Sequence, residues 1–216
     1  MRAHAARVAR IADRQYGRVT HAHLIAAGVD RKRIQRWLAD GRLRRVHRGV
    51  YALGHVAPSL RGDYMAAVLA AGNGAVLSHR ALGFMLRILR TRPPLPEVTV
   101  PTGAHRTRPG IVIHRDTHLH HLDVDTWHGI PITTIPRLLL DLAPHLTPEQ
   151  LTRACHEAWI HHGTRPEAIE RCIARHLHKP GATKLRQALG SDVTLSVLED
   201  GFVDLLKRNQ LPLPRT

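Results

Sequence analysis

The stretch GVDRKRIQRWLADGRLRRVHRGVYALG, residues 28–54, carries eight Lys or Arg interleaved with apolar positions whose spacing changes halfway along. In the first half, Ile34, Trp37 and Leu38 fall on one face at roughly 100° per residue, the period of an amphipathic helix. Asp30 stands where an N-cap belongs, Val29 before it and Ile34 after it have the spacing of a hydrophobic staple, and Gly41 ends the run. Lys32, Gln35, Arg36 and Ala39 then point away from the apolar stripe, with Arg31 and Arg33 flanking it near the helix start. In the second half, Leu43 to Val46 and Val50 to Leu53 are short apolar runs separated by His47-Arg48-Gly49, which predicts strand, tight turn, strand.

On the N-terminal side, Ala5 to Tyr16 places Val8, Ile11 and Ala12 at helical spacing and is stopped by Gly17. Thr20 is positioned to cap a second short helix through Leu24 and Ile25, ending at Gly28. Three short helices with a Gly-containing turn, followed by a β-hairpin, predict a winged helix-turn-helix. In that arrangement the third helix reads base edges in the major groove and the wing meets backbone or minor groove. The candidate DNA contacts are Arg31, Lys32, Arg33, Gln35 and Arg36 on the helix, with Arg44, Arg45, His47 and Arg48 on the hairpin. Gln35 has the paired donor and acceptor that match adenine, Arg36 the fork that matches guanine, and Arg48 at the hairpin tip suits a narrow minor groove.

Charge points the same way. The chain of 216 residues has a formal charge of +15, and residues 1–60 hold thirteen Lys and Arg against Asp13, Asp30 and Asp40, a local net of +10. Concentrated positive charge predicts a polyanion partner, double-stranded DNA ahead of an anionic membrane. No apolar run reaches the about 18 to 20 residues of a membrane span, and the Arg-studded N-terminus has no signal core, so a cytoplasmic location is expected. Cys155 and Cys172 read as reduced core thiols rather than a disulfide framework.

Beyond Pro58 the pattern becomes mixed α and β. A helix is predicted around Tyr64 to Ala71, a turn at Gly72-Asn73-Gly74, and a Ser78-capped helix to Leu86. Strands are predicted at 97–101, 110–115 and 130–135. Pro136 opens a helix through Leu142, Thr147-Pro148-Glu149-Gln150 starts another that runs to His161, and further helices span 165–177 and 194–209. Four histidines, His114, His118, His120 and His121, lie close together with Asp116 and Asp123, but lack the fixed spacing of a metal-binding helix, so no metal or other cofactor is expected. Ser78 and His79 are neighbours that a helix would point apart, and Gly72-Asn73-Gly74 lacks the Lys of a phosphate loop, so no catalytic residue is assigned and the chain is read as not an enzyme.

Several stretches carry family resemblances. YGRVTHAHLIAAGVDRKRIQRWLADGRLRRVHRGVYAL (16–53) resembles the N-terminal winged-helix domain of AbiEi-type antitoxins, and LSHRALGFML (77–86) and GIPITTIPRLLLDLA (129–143) extend the likeness. The resemblance implies a promoter-binding protein that represses its own operon in a type IV toxin-antitoxin system and pairs with a nucleotidyltransferase-like toxin. TLSVLEDGFVDLLKRNQLPLP (194–214) is similar to the opening helix of nuclease domains related to very-short-patch-repair endonucleases. In those PD-(D/E)xK folds Glu199 would match a metal-binding Glu, but no Glu-x-Lys occurs in the chain to complete the set.

The expectation is therefore an α+β protein in three parts. Residues 1–56 form a winged helix-turn-helix, 57–190 a mixed α/β antitoxin-like domain, and 191–216 a terminal helix resembling the start of a truncated nuclease domain. Its function is that of a sequence-specific regulator repressing its own promoter, with DNA, a toxin protein and a second copy of itself as partners. The alternatives are a truncated or fragmentary DNA endonuclease, and a toxin-binding protein whose winged helix no longer binds DNA.

Overall fold

The computed structural model describes residues 2–54, 59–101, 108–190, 206 and 209. Two compact units emerge, Met1–Thr134 and Ile135–Thr216. The predicted helix over 194–209, with Glu199, lies outside the described residues apart from Leu206 and Asn209.

In the first unit, α1 (Arg2–Asp13) is followed by β1 (Arg18–Thr20), α2 (His21–Ala26) and α3 (Arg31–Ala39), then β2 (Leu43–His47) and β3 (Val50–Leu53). The wing is a three-stranded antiparallel sheet in the order β1-β3-β2, one strand more than the sequence predicts. The added strand is only three residues long, too short for an alternation pattern, and its last residue doubles as the cap of α2. Thr20 Oγ1 accepts the His23 amide at 3.0 Å while Thr20 N donates to His23 Nδ1 at 3.3 Å, a capping box with His in the Glu position. α1 ends at Asp13, short of the predicted Tyr16, and the chain turns at Tyr16 (φ 53°) and Gly17 (φ 76°).

One cluster of buried side chains holds these elements together: Val8, Ala12, Val19, Leu24, Val29, Ile34, Trp37, Leu43 and Tyr51. The staple pair Val29 and Ile34 is at most 2% exposed, and fully burying an aliphatic side chain contributes about 1.5–3 kcal/mol. Gly28 is required twice over. It has φ +85°, and a Cβ there would meet the His4 ring at 2.6 Å, the ring whose Nδ1 bonds to Ala27 O.

α4 (Leu60–Ala71), capped by Ser59, packs on the wing sheet and on a second sheet. That sheet is built from β4 (Val76–Leu77), β5 (Glu97–Val100), β6 (Val112–Arg115), β7 (Val124–Trp127) and β8 (Ile130–Thr133), in the order β6-β5-β4-β8-β7. The β4–β8 and β5–β6 pairs are parallel, and the other two are antiparallel. The predicted strands at 97, 110 and 130 are β5, β6 and β8; β4 and β7, of two and four residues, carry no sequence signal of their own. β7 and β8 join through His128 (φ 47°) and Gly129 (φ 79°), whose paired positive φ values fit a tight hairpin. α5 (His79–Met85) leaves the end of β4.

The second unit contains α6 (Ile135–Leu142), α7 (Pro148–His162), α8 (Pro166–Arg175) and α9 (Ala182–Gly190), which pack on one another around Leu138, Leu139, Leu151, Ile169 and Leu185. The capping box predicted at the start of α7 is present: Thr147 Oγ1 accepts the Gln150 amide and Thr147 N donates to Gln150 Oε1 at 3.0 Å. α9 is a helix the sequence reading does not contain. Arg137, fully buried, donates from Nε to both oxygens of Asp141 at 3.0 and 2.9 Å, and Lys179 Nζ adds a third contact at 3.1 Å. Cys155 and Cys172 are buried, and desolvation pushes the Cys155 thiol up to about 12. The architecture is α+β, with helices and a small sheet at the N-terminus arranged as a winged helix.

Candidate nucleic-acid interface

The basic helix α3 is fixed from its inner side. Asp30, in extended backbone, accepts the Arg33 amide at 2.7 Å and starts the helix. Ile34 and Trp37 anchor it in the core, with Leu38 half-buried. At helical period this leaves Arg31, Lys32, Gln35 and Arg36 exposed, while Arg33 is half-buried. A short helix held by one apolar face and presenting basic and amide groups on the other has the shape a major groove about 12 Å wide admits. The positive end of its dipole adds to the side-chain charge.

The hairpin distributes its charges over two faces. Arg44 lies opposite Ala52 and Arg45 opposite Tyr51, so strand alternation sends Arg45 to the side of Leu43 and Tyr51 and Arg44 to the other. A bulge between Arg45 and His47 inserts Val46 and sets His47 opposite Val50. His47, predicted as part of the turn, is thus the last residue of β2 and faces the side covered by α4. Its pKa is held below the usual histidine value, mainly by burial and further by the positive charge of Arg108, with Asp63 opposing. Only Arg48 and Gly49 form the turn; Gly49 has φ +80°, which leaves Arg48 exposed at the tip. Gly49 O accepts the His21 amide at 2.8 Å, tying the tip to the start of α2.

Among the described residues, none of Arg31, Lys32, Arg36, Arg44, Arg45 or Arg48 forms an ion pair with an acid. Arg18 behaves differently although it belongs to the same basic region. Its side chain is 5% exposed, reaches Asp63 at 3.3 Å and the Tyr16 carbonyl at 3.1 Å, and lies over Gly62, where a Cβ would approach its guanidinium to 2.8 Å. Sequence reasoning assigned no role to Arg7, Arg10 and Arg14. They line an open groove of about 530 Å³ with His23 and Gln15, and no acid is among its lining residues. Burial lowers the pKa of His23. The signal was legible, since positions 7, 10 and 14 recur at helical spacing on one face.

The predicted catalytic and metal negatives meet a more varied structure. Ser78 does not cap α5 with its side chain. Its Oγ instead accepts the Thr99 hydroxyl at 2.8 Å and lies 2.9 Å from His79 Nδ1. The two neighbours do not diverge as on a helix because Ser78 is extended and His79 sits at φ +51°. The loop histidines scatter: His118 bonds to Thr117, His120 Nδ1 accepts the Leu122 amide, and His114 turns to Glu97. Among the described residues no helix is long and apolar enough to cross a membrane.

Residues 6–54 match the family described as transcriptional regulator, AbiEi antitoxin, a stretch that runs from within α1 to the residue after β3. A comparison with curated proteins finds no match.

Proposed function

We propose that the chain is a sequence-specific DNA-binding regulator of antitoxin type whose winged helix, residues 1–56, binds its own promoter and represses it. The observation that carries this reading is the outer face of α3, where Arg31, Lys32, Gln35 and Arg36 are exposed together on a helix clamped by Asp30, Ile34 and Trp37. The match of residues 6–54 to a family of transcriptional regulators supports it independently. In this mechanism α3 enters the major groove, Gln35 and Arg36 contact base edges, and Arg31, Lys32, Arg33, Arg44 and Arg45 neutralise phosphates. Arg48 reaches the adjacent minor groove. His47, turned toward α4 and kept neutral at pH 7, contributes shape rather than charge.

The rest of the chain is proposed to serve partners. Trp159 and Ile160 on α7 are 49% and 57% exposed, side chains that a toxin protein or a second copy of the chain would cover.

The test is fluorescence-anisotropy binding of the purified chain to its own upstream DNA and to a scrambled duplex, over a salt series. A preference of about 10³-fold or more for the upstream fragment is expected, with log affinity falling linearly in log salt. Equal, weak binding to both duplexes would overturn specific regulation. Cleavage of supercoiled plasmid in Mg²⁺ would move the assignment to a nuclease.

A further inference from the structure

We propose that His79, Glu97 and His114 bind a divalent transition-metal ion, zinc being the first choice, in a site independent of the DNA-binding reading. One ligand atom from each of the three side chains lies within 4.8 Å of the others. An ion about 2.0–2.2 Å from each donor holds its ligand atoms roughly 3.2–4.3 Å apart and lies in the plane of each imidazole, so binding draws the donors together and opens the parallel stack of His79 on His114. Two imidazole nitrogens and one carboxylate oxygen form a donor set that suits zinc and its first-row neighbours.

The sheet register builds this cluster from three separate segments. Thr99 pairs with Val76 on one side and His114 on the other, and the Ser78 amide donates to Glu97 O. Strand alternation therefore brings Ser78, Glu97, Thr99 and His114 to one face. His79 joins them because its φ of +51° turns it back over the sheet, where its ring stacks on His114 at 3.5 Å between centroids and 11° between planes. A left-handed backbone at a buried non-glycine residue is strained and persists where the surroundings hold it.

The surroundings do hold it. Ser78 and Thr99, at most 1% exposed, form a hydroxyl pair with the Ser78 Oγ 2.9 Å from His79 Nδ1; in the proposed site Nδ1–H donates to that hydroxyl and Nε2 is the ligand nitrogen. Metal-binding histidines are oriented in this way through their second nitrogen. His114 Nε2 donates to Glu97 Oε2 at 2.9 Å; the ion takes the place of that proton, which leaves to solvent. The His114 side chain is 30% exposed and the Glu97 side chain 13%, so the ion has a path in.

The experiment uses the full chain stripped with a chelator, then equilibrium dialysis against Zn²⁺ and Co²⁺ with metal analysis. With eighteen histidines in the chain, weak secondary binding is normal, so the readout is the tight equivalent. One tight equivalent per chain is expected, lost in His114→Ala and in Glu97→Gln. It survives in a variant with His118, His120 and His121 all changed to Ala. Ser78→Ala is expected to weaken it by about 10- to 100-fold. Circular dichroism checks folding. In the unmodified chain, zinc should shift the side-chain nitrogen resonances of His79 and His114, a readout that needs no variant. No tight equivalent, or one that every variant retains, would overturn the site.

Discussion

Arg36 and Arg137 are the same side chain put to opposite uses. Arg36 sits exposed on the outer face of α3 with no acid paired to it among the described residues, whereas Arg137 on α6 is fully buried and donates to both oxygens of Asp141. The first keeps its charge available to a polyanion. The second spends it inside the fold, where an unpaired guanidinium would be costly. Net charge alone cannot separate the two, and Arg18, paired with Asp63 inside the basic region, shows that position in the chain cannot either.

The largest effect should come from the buried side of this contrast. Asp141→Ala removes the carboxylate that accepts twice from the buried Arg137 Nε and should destabilise the helical unit by about 3–5 kcal/mol, measured by hydrogen exchange of the α6–α9 amides. DNA binding by the protein that remains folded should keep its salt slope. If Asp141→Ala changed that slope, the division between structural and DNA-facing arginines would be wrong. Arg36→Ala is expected to cost about 1–3 kcal/mol in upstream DNA binding and to relax preference at one base pair, read by competition with single-base variants of the fragment.

Asp30→Ala removes the cap that aims α3 and should cost about 1 kcal/mol in thermal or urea unfolding of the N-terminal unit. The smallest change is predicted for His47. His47→Gln should leave the salt slope at pH 7.5 unaltered. Because folding lowers the pKa of His47, the unfolded chain binds a proton first as pH falls below about 6.5, so the stability this residue confers is present above that pH and lost beneath it. The variant should therefore lose part of the pH dependence of unfolding between pH 7 and 5.

What the sequence disclosed, and what it hid, follows the range of the interactions. α3 and α7 were legible because their caps lie within three residues of the groups they satisfy, and because the staple Val29–Ile34 and the stripe Ile34, Trp37, Leu38 repeat at helical period. β1, β4 and β7 are two to four residues long and exist only through their partners. The same reasoning explains His47: a one-residue bulge reverses the face on which a side chain lands, and no local pattern announces it. His114 likewise meets Glu97 and His79 rather than the histidines beside it in sequence, because strand pairing and a left-handed turn bring them to it.

With α3 and the hairpin as the DNA-binding face, the salt dependence of binding must follow their charges. The slope of log affinity against log salt should be compared for the unmodified chain and for a variant with the proposed phosphate contacts Arg31, Lys32 and Arg44 all changed to Ala. Each phosphate contact removed should flatten the slope by about 0.9, so a loss of roughly two to three is predicted with the thermal unfolding curve unchanged. An unchanged slope in a folded variant would contradict the account and place the polyanion contact elsewhere, with the Arg7, Arg10 and Arg14 groove next in line.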